Sequence, residues 1–245
     1  MQFYSDRVKK GCFMSKENWK EVKAQLVKNI VQDNFSDKEN TLPLGTYYTA
    51  MIHSDIKHLA FTFSRYKFVS KMLMYKKNVK LLELGCQEAL GGVLLKQNIS
   101  LEKYVGIDLD EDAIQWNKRY MPKEFEFICN DFFAWKDTRK YDAIVSLDVI
   151  EHIPLEMEDR YCQIICENLQ EDGVTIIGTP NITMSPYASE ASKLGHVNLY
   201  DQDRLYHLMN KYFHNVFMFN MNDEVVNTGF SPMSCYIFAV CCNKK

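Results

Sequence analysis

Apolar residues recur at two different spacings along the chain, and the change between them divides it in two. Over residues 15–35, and again over about 46–75, they recur at three- and four-residue steps, which predicts helices. From residue 79 onward, short apolar runs alternate with segments of helical pattern. We therefore expect a helical N-terminal extension or lid over residues 1–78 and an α/β core over residues 79–245.

Seven apolar runs in the second part have the length and composition of β-strands. Their expected bounds are Val79–Leu84, Tyr104–Asp108, Phe125–Cys129, Tyr141–Leu147, Val174–Gly178, Asn215–Phe219 and Ser234–Cys242. Strands that alternate with helices predict a parallel sheet with right-handed crossovers, and the last two runs predict one antiparallel strand. The expected fold is therefore α/β: a Rossmann-like, doubly wound, seven-stranded, mostly parallel sheet with one antiparallel strand, plus the N-terminal helical extension.

Composition narrows the class of protein. The 245 residues are 47% hydrophobic and carry a net charge of -3, without the basic face that nucleic-acid binding needs. No apolar run approaches the roughly 20 residues that span a bilayer, and the N-terminus lacks the apolar stretch of a secretory signal. The eight cysteines include no Cys-x-x-Cys pair. We expect a cytoplasmic protein that acts on a small molecule, with no nucleic-acid or membrane partner. The sequence leaves the oligomeric state open.

Candidate ligand-binding residues follow the first four predicted strands in order. They are Glu83, Gly85, Cys86, Asp108, Leu109, Asp131, Phe132 and Ser146. Gly85 permits a tight turn close to a ligand, and the carboxylate of Asp108 can accept hydrogen bonds from two ribose hydroxyls. Ligands of open α/β sheets bind at the carboxyl ends of the strands, so we expect these residues to form one nucleotide site.

The series resembles the class I S-adenosylmethionine-dependent methyltransferases, in particular ubiquinone-type and type 12-like members. Glu83 and Gly85 match the family's first motif, an acidic residue followed by Gly-x-Gly-x-Gly. Asp108 matches the ribose-binding acid, and Asp131 with Phe132 matches the pair that contacts adenine. The resemblance covers residues 79–242 and implies a methyltransferase with S-adenosylmethionine as cofactor.

Two positions depart from the first motif. Gln87 and Ala89 stand where the family has its second and third glycines. The bulkier Gln87 either avoids the left-handed backbone or folds its side chain away from the cofactor. If it does neither, a non-catalytic partner subunit with the same fold is the alternative to an enzyme. A nicotinamide dehydrogenase is disfavoured, because the chain lacks Gly-x-Gly-x-x-Gly.

The segment after the fourth strand carries a second group of candidates, Asp148, Glu151 and His152. If a helix begins at Asp148, all three lie on one face. The segment resembles the acid-x-x-Glu-His motif of ubiquinone-type O-methyltransferases and small-RNA 2′-O-methyltransferases. That resemblance implies a Mg²⁺ or Mn²⁺ site completed by His196. Without a metal, His152 is the candidate general base. Alternatively, Asp148 and Glu151 form a capping box that has no catalytic role.

Two further features bear on the substrates. Arg65 is a candidate partner for the carboxylate of the cofactor, although a surface arginine beside a core tyrosine explains it equally simply. The loop after the fifth strand, residues 179–195, contains Asn181, Ser185, Tyr187 and Ser189, which suit a polyhydroxylated or phosphorylated acceptor. We expect O-methylation of a small polar metabolite, such as a sugar or sugar-phosphate-type intermediate of surface-polysaccharide synthesis. A quinone-like or amine acceptor is the alternative.

Overall fold

A computed structural model describes Glu21, Gln25 and residues 42–245 of the chain. Glu21 and Gln25 are helical; the rest of the helix predicted over residues 15–35 lies outside the described residues. Leu44–Lys245 form one compact unit. Residues 44–78, which the sequence assigns to the N-terminal extension, belong to the same unit as the sheet.

Helices and strands alternate through this unit. Its helices are α1 (Thr46–Asp55), α2 (Lys57–Leu73), α3 (Leu90–Asn98), α4 (Glu111–Tyr120), α5 (Glu158–Asn168), α6 (Glu190–Gly195) and α7 (Gln202–Asn210). Its strands are β1 (Val79–Leu84), β2 (Leu101–Asp108), β3 (Glu126–Cys129), β4 (Tyr141–Leu147), β5 (Leu169–Pro180), β6 (Phe213–Asn222), β7 (Val225–Asn227) and β8 (Tyr236–Lys244). Short 3₁₀ turns cover Ile150–His152, Leu155–Met157, Ile182–Tyr187 and Ser231–Met233.

The strands form one mixed sheet in the order β3-β2-β1-β4-β5-β8-β6-β7. The first five are parallel neighbours, whereas β8 runs antiparallel to β5 and β6. The predicted Rossmann-like mixed fold with an antiparallel C-terminal pair is confirmed. The described residues add an eighth strand, β7, that the sequence analysis missed. With three residues, it is too short to give an alternating pattern within the turn-rich segment 220–229.

Helices cover both faces of the sheet. Neighbouring residues of a strand point to opposite faces, and Leu81 and Leu82 of β1 belong to two different buried clusters. Leu95 of α3 and Ile114 of α4 join the first cluster, and Ile165 of α5 joins the second. The doubly wound arrangement leaves the carboxyl ends of β1 and β4 adjacent, where the strand order reverses. This is the position at which such sheets bind ligands.

The N-terminal helical pattern over residues 46–75 is interrupted in the structure. The chain forms two helices, α1 and α2, with a break at Ile56. The side chain of Asp55 accepts a hydrogen bond from the amide of Lys57 at 3.2 Å, which competes with a continuous helix. The side chain of Ile56 is exposed, so no core contact holds the two helices in one continuous line at this residue.

A buried carboxylate joins α2 to the sheet. Glu83 of β1 is 1% exposed, and its two oxygens accept hydrogen bonds from the phenols of Tyr66 on α2 and Tyr104 on β2. Gly91 and Gly92 of α3 leave room for these two rings, because a Cβ on either would overlap a tyrosine. The paired glycines therefore serve packing at this junction.

The close fit of Gly91 against Tyr66 predicts that Gly91→Ala destabilises the protein, although the change from glycine to alanine usually stabilises a helix. A Cβ at residue 91 would lie 2.1 Å from Cζ of Tyr66. We expect Gly91→Ala to lower the free energy of unfolding by about 1–3 kcal/mol through overpacking. In an exposed helix the same change stabilises by up to about 1 kcal/mol. Urea unfolding measures the difference. Gln97→Ala, at an exposed position of the same helix, is the matched control, and unchanged stability in Gly91→Ala contradicts the packing.

Burial of Glu83 predicts a pH dependence of stability. Desolvation raises the pKa of Glu83 from 4.5 to about 7, and the charge of Asp108 adds to this, while the two phenols oppose it. Between these pH values the folded protein keeps a proton that the unfolded chain has released, so rising pH favours unfolding. We expect the free energy of unfolding to fall across this window by up to about 3 kcal/mol relative to Glu83→Gln. Urea titrations at several pH values measure it, and parallel curves for the two proteins refute it.

Candidate active site

The turn after β1 has an unusual backbone. Gly85, Gln87 and Ala89 have φ angles of 73°, 44° and 38°, all in the left-handed region. A Cβ at Gly85 would lie 2.3 Å from Cγ2 of Val149, so no larger residue fits there. Left-handed backbone costs a residue with a Cβ on the order of 1–2 kcal/mol. The chain keeps the shape that three glycines would give, with strain at the two positions that lack glycine.

The side chain of Gln87 turns toward the next strand. Its Nε2 donates to Oδ2 of Asp110 at 2.9 Å, and its backbone amide donates to Oδ2 of Asp108 at 2.8 Å. The other oxygen of Asp108 accepts from the amide of Asp110 at 2.9 Å. Asp108 therefore bridges the two turns at the carboxyl ends of β1 and β2. The sequence allowed Gln87 either a backbone outside the left-handed region or a side chain folded away from the cofactor. In the structure the backbone is left-handed, and the side chain is directed at Asp110.

The candidates for the nucleotide side differ in exposure. Leu109 is 68% exposed beside the half-buried Asp108. The half-buried Asp131 accepts a hydrogen bond from the amide of Phe133 at 2.8 Å. Phe132 is 9% exposed, and its ring centroid lies 4.7 Å from that of Phe133. Phe132 thus packs largely into the core, and the surface beside Asp108 comes from Leu109 and Asp131.

Three other predicted cofactor contacts lie beneath the surface, among them Glu83, which is bonded to two phenols. Cys86 is 2% exposed, and its Sγ would lie 2.8 Å from a Cβ at Gly106. Ser146 is 1% exposed. Their side chains pack beneath the site, so only the backbone can contact a ligand at these positions.

The fourth strand ends at an ion pair. Asp148 has a φ of 57°, and its Oδ2 lies 2.5 Å from Nη1 of Arg65 on α2. The guanidinium of Arg65 also lies 4.0 Å above the ring of Tyr236. No α-helix begins at Asp148: the chain forms the 3₁₀ turn Ile150–His152, whose N-cap is Val149 and which has no side-chain cap. The expected helix start and the capping-box alternative are therefore both absent at this segment. Arg65 reaches the site, where its partner is Asp148.

Glu151 lies behind this ion pair. Its side chain is fully buried; Oε2 accepts a hydrogen bond from Oγ1 of Thr179 at 2.9 Å, and Oε1 has no partner among the residues that the structure describes. Burial raises the pKa of Glu151 to about 8, and the nearby charge of Asp148 adds to the increase. Burial therefore favours the protonated, uncharged form of this carboxyl group.

Two histidines meet in front of Glu151. Nδ1 of His152 lies 2.9 Å from the carbonyl oxygen of Gly195. A carbonyl can only accept, so Nδ1 carries the proton and Nε2 keeps a free lone pair. The ring centroids of His152 and His196 lie 5.0 Å apart. Burial and the neighbouring His152 lower the pKa of His196. One ligand atom each from Glu151, His152 and His196 falls within a 4.8 Å cluster, whereas Asp148 lies outside this cluster.

Tyr47 of α1 is a site residue that sequence reasoning missed. Its side chain is half exposed, and burial followed by the charge of Asp148 raises the pKa of its phenol, while Arg65 opposes this increase. The phenol therefore lies close to the acceptor-side charges. A tyrosine within a helical apolar pattern gives no signal that distinguishes it from a core residue.

Most of the predicted acceptor contacts in the loop after β5 form hydrogen bonds within or next to the loop. Asn181 is 1% exposed and donates to Ser231 and Ser234, and Ser189 caps α6. Ser185 donates to a carbonyl of the same loop. These side chains support the loop and leave few polar groups for an acceptor.

A cavity of about 440 Å³ lies at the opposite edge of the sheet, lined by Lys80, Arg139 and Lys140 among others. Three of its cations are already paired: Lys80 with Glu102 at 3.5 Å, and Lys103 and Arg139 with Glu126 at 3.0 and 2.8 Å. Lys140 donates to the backbone carbonyl of Glu167. These contacts leave little free charge for a ligand. We therefore place the candidate site at the carboxyl edge, where Asp108 and His152 lie.

Comparisons with known proteins identify the family of this chain. A family profile described as a methyltransferase domain matches residues 48–212. A ubiquinone biosynthesis O-methyltransferase of Glaesserella parasuis is 32% identical over 119 residues. The aligned part is 44% of this chain, and the chain spans about half the length of that curated relative, 48%.

Solved structures show the same fold. The N-methyltransferase NodS of Bradyrhizobium japonicum, in complex with S-adenosyl-l-homocysteine, superposes with a TM-score of 0.59 at 14% identity, over 75% of this chain and 87% of that one. A putative methyltransferase from Haloferax volcanii, bound to the activator Trm112, gives 0.63 at 10% identity, over 83% and 100%.

Within the described residues, no helix is both long and apolar enough to cross a membrane. The family profile covers more than half of the chain and includes the strained turn, the bridging Asp108 and the histidine pair. The chain therefore belongs to the S-adenosylmethionine-dependent methyltransferase-domain family.

Proposed function

We propose that the chain transfers a methyl group from S-adenosylmethionine to an oxygen of a small hydroxylated acceptor. The observation that carries the oxygen assignment is the orientation of His152, whose Nδ1 faces the carbonyl of Gly195. This contact leaves Nε2 free to take a proton beside the donor site. An acceptor hydroxyl must lose a proton as it is methylated, and His152 provides the base.

The donor binds, in this proposal, across the turns after β1 and β2. Asp108 binds the ribose hydroxyls, Leu109 and Asp131 flank the adenine, and the left-handed turn holds the methionine portion close to its backbone. Glu83, fully buried between two phenols, supports this turn from beneath.

The reaction is an in-line displacement. The acceptor oxygen forms a bond to the methyl carbon while the bond from that carbon to sulfur breaks, and S-adenosylhomocysteine leaves. The acceptor proton passes to Nε2 of His152. Because the sulfonium already activates the methyl group, the main task of the protein is to hold donor and acceptor in line.

Glu151, His152 and His196 are the residues that would hold a divalent ion in the metal-assisted form of this proposal. Nε2 of His152 would then be a ligand, and the base role of His152 belongs to the form without a metal. Within the described residues, Oε1 of Glu151 has no hydrogen-bond partner, and the lowered pKa of His196 fits such a role, since metal ligands must be unprotonated. The raised pKa of Glu151 opposes it, so Glu151 would have to lose its proton when the ion binds. Two imidazoles and one carboxylate suit Mn²⁺ better than Mg²⁺, which prefers oxygen ligands. A bound ion would lower the pKa of an acceptor hydroxyl.

The structure supports an aromatic hydroxyl compound as the first acceptor class. Leu194 is 84% and Val197 61% exposed, and they flank Gly195 and His196 next to His152. A quinol-like ring can cover such side chains, and the curated relative named above acts in ubiquinone biosynthesis. For the sugar-type acceptor, the support expected from Asn181, Ser185 and Ser189 is lost, because these groups bond within the loop. Asp148, with 36% of its side chain exposed, remains a polar contact for that acceptor.

The role of Asp108 predicts weaker donor binding in Asp108→Asn. Losing a charged acceptor costs about 1.5–3 kcal/mol, so we expect affinity for S-adenosylmethionine to fall about ten- to a hundredfold. Calorimetric titration measures the affinity. Asp142→Asn is the matched control, because Asp142 also accepts a backbone amide, that of Lys80 at 2.8 Å, but at the opposite edge of the sheet. Equal affinities in the two variants would remove Asp108 from the donor site.

The role of His152 predicts loss of turnover without loss of donor binding. We expect His152→Ala to reduce kcat about 10²- to 10⁴-fold, the usual contribution of a general base. The assay follows S-adenosylhomocysteine release with a panel of phenols, quinols and sugars. The exposed His207→Ala is the control. If His152→Ala keeps full turnover, another group is the base; if the unmodified protein binds the donor but methylates nothing in the panel, the partner-subunit alternative gains support.

A further inference from the structure

Glu88 lies inside the strained turn but belongs to none of the contacts described so far. It stands between Gln87 and Ala89, both with left-handed backbone, and it is 2% exposed. Within the described residues, its hydrogen bonds come from two backbone amides of α1: Tyr47 N to Oε1 at 2.7 Å and Tyr48 N to Oε2 at 3.1 Å. The turn therefore reaches across to the N-terminal helix.

These two amides are ones that a helix leaves unpaired. The first amides of an α-helix have no partner within it, and the helix dipole favours a negative charge at that end. A side chain at the N-cap usually fills this role, but Gly45 at the N-cap of α1 has none. The carboxylate of Glu88, about forty positions further along the chain, replaces the local cap. Because this carboxylate is buried, it keeps its hydrogen bonds only if α1 stays in place.

Gly45 shows how closely the two segments approach. A Cβ at this residue would lie 2.2 Å from Cδ of Glu88, in the volume that the carboxylate occupies. The glycine is therefore needed for the contact itself. Its φ of -76° is accessible to every residue, so conformational freedom does not explain it.

The contact determines where Tyr47 lies. Glu88 binds the amide of Tyr47 itself, while the ring of the neighbouring Tyr48 is buried and stacked on Phe63 with centroids 6.5 Å apart. With Tyr48 held on the core side, the ring of Tyr47 is left half exposed.

We propose that Glu88 is a positioning residue that ties α1 to the donor-binding turn, so that donor binding orders the helix that carries Tyr47. The inference rests on the proposed donor site at this turn. A donor that stabilises the left-handed turn also stabilises the carboxylate that caps α1.

Hydrogen–deuterium exchange of the full chain, with and without S-adenosylhomocysteine, tests this proposal. In the unmodified protein we expect the ligand to slow exchange over residues 46–55 as well as over 85–89. In Glu88→Ala we expect exchange over 46–55 to accelerate at least about tenfold without ligand, since two charge-assisted hydrogen bonds are lost, and to become insensitive to the ligand.

Gly45→Ala tests the same contact from its other side. It displaces the carboxylate without removing it, and we expect the same loss of ligand-dependent protection over 46–55. Glu124→Gln is the control, because Glu124 is an exposed glutamate whose partner is Lys96 at the end of α3. If either Glu88→Ala or Gly45→Ala retains the ligand-dependent protection of α1, the proposal is overturned.

The two readouts separate this proposal from the proposed function. Faster exchange of α1 in ligand-free Glu88→Ala establishes the anchor whether or not a donor binds. Absence of any S-adenosylhomocysteine effect at residues 85–89 in the unmodified protein refutes the donor site, and with it the coupling. Protection at 85–89 without protection at 46–55 refutes the coupling alone.

Discussion

The left-handed turn from Gly85 to Ala89 is the constraint on which the rest of the site depends. Its shape requires Gly85, because Val149 of the neighbouring strand connection occupies the space of a Cβ. Gln87 and Ala89 adopt the same handedness at a cost in strain, which surrounding contacts must offset. Asp108 offsets part of it by accepting the amide of Gln87. The turn thereby connects the ends of β1 and β2, the loop after β4 and the start of α1.

Three buried glutamates surround this turn, and each is stabilised by uncharged donors. Glu83 receives two phenols, Glu88 two backbone amides and Glu151 one threonine hydroxyl. Burial raises the pKa of Glu83 and of Glu151 toward or above neutrality. Directional hydrogen bonds of this kind hold side chains in fixed geometry, whereas the ion pair of Arg65 with Asp148 lies at the partly open rim. The buried hydrogen bonds thus hold the base of the site in place, and the Arg65–Asp148 ion pair makes its exposed rim polar.

Much of the fold follows from sequence pattern alone. The bounds of β1 and β4 agree with the predictions because each is a continuous apolar run ended by turn residues. The break at Ile56 could not be predicted, since it depends on a single hydrogen bond from Asp55. Likewise β7 depends on pairing with β6 rather than on its own three residues.

The candidate site was predictable in outline and not in detail. Order along the strands was sufficient to place Asp108 and His152 at one edge of the sheet. The left-handed backbone of Asp148 was not foreseeable, because an aspartate before Glu-His reads equally as a helix cap. Neither was the partnership of Arg65 with Asp148, or of Glu88 with the amides of α1, which joins residues about forty positions apart. Such contacts arise from tertiary packing, which local periodicity does not contain.

Calorimetric titration of the unmodified full chain with S-adenosylmethionine, with NADH in a parallel cell, shows whether the turn after β1 binds a methyl donor. We expect saturable one-site binding of S-adenosylmethionine and no heat with NADH, because the strained turn keeps the shape of a methyl-donor site despite Gln87 and Ala89. Absence of S-adenosylmethionine binding at millimolar concentration would contradict it, and would show that the two substitutions have closed the site while leaving the fold intact.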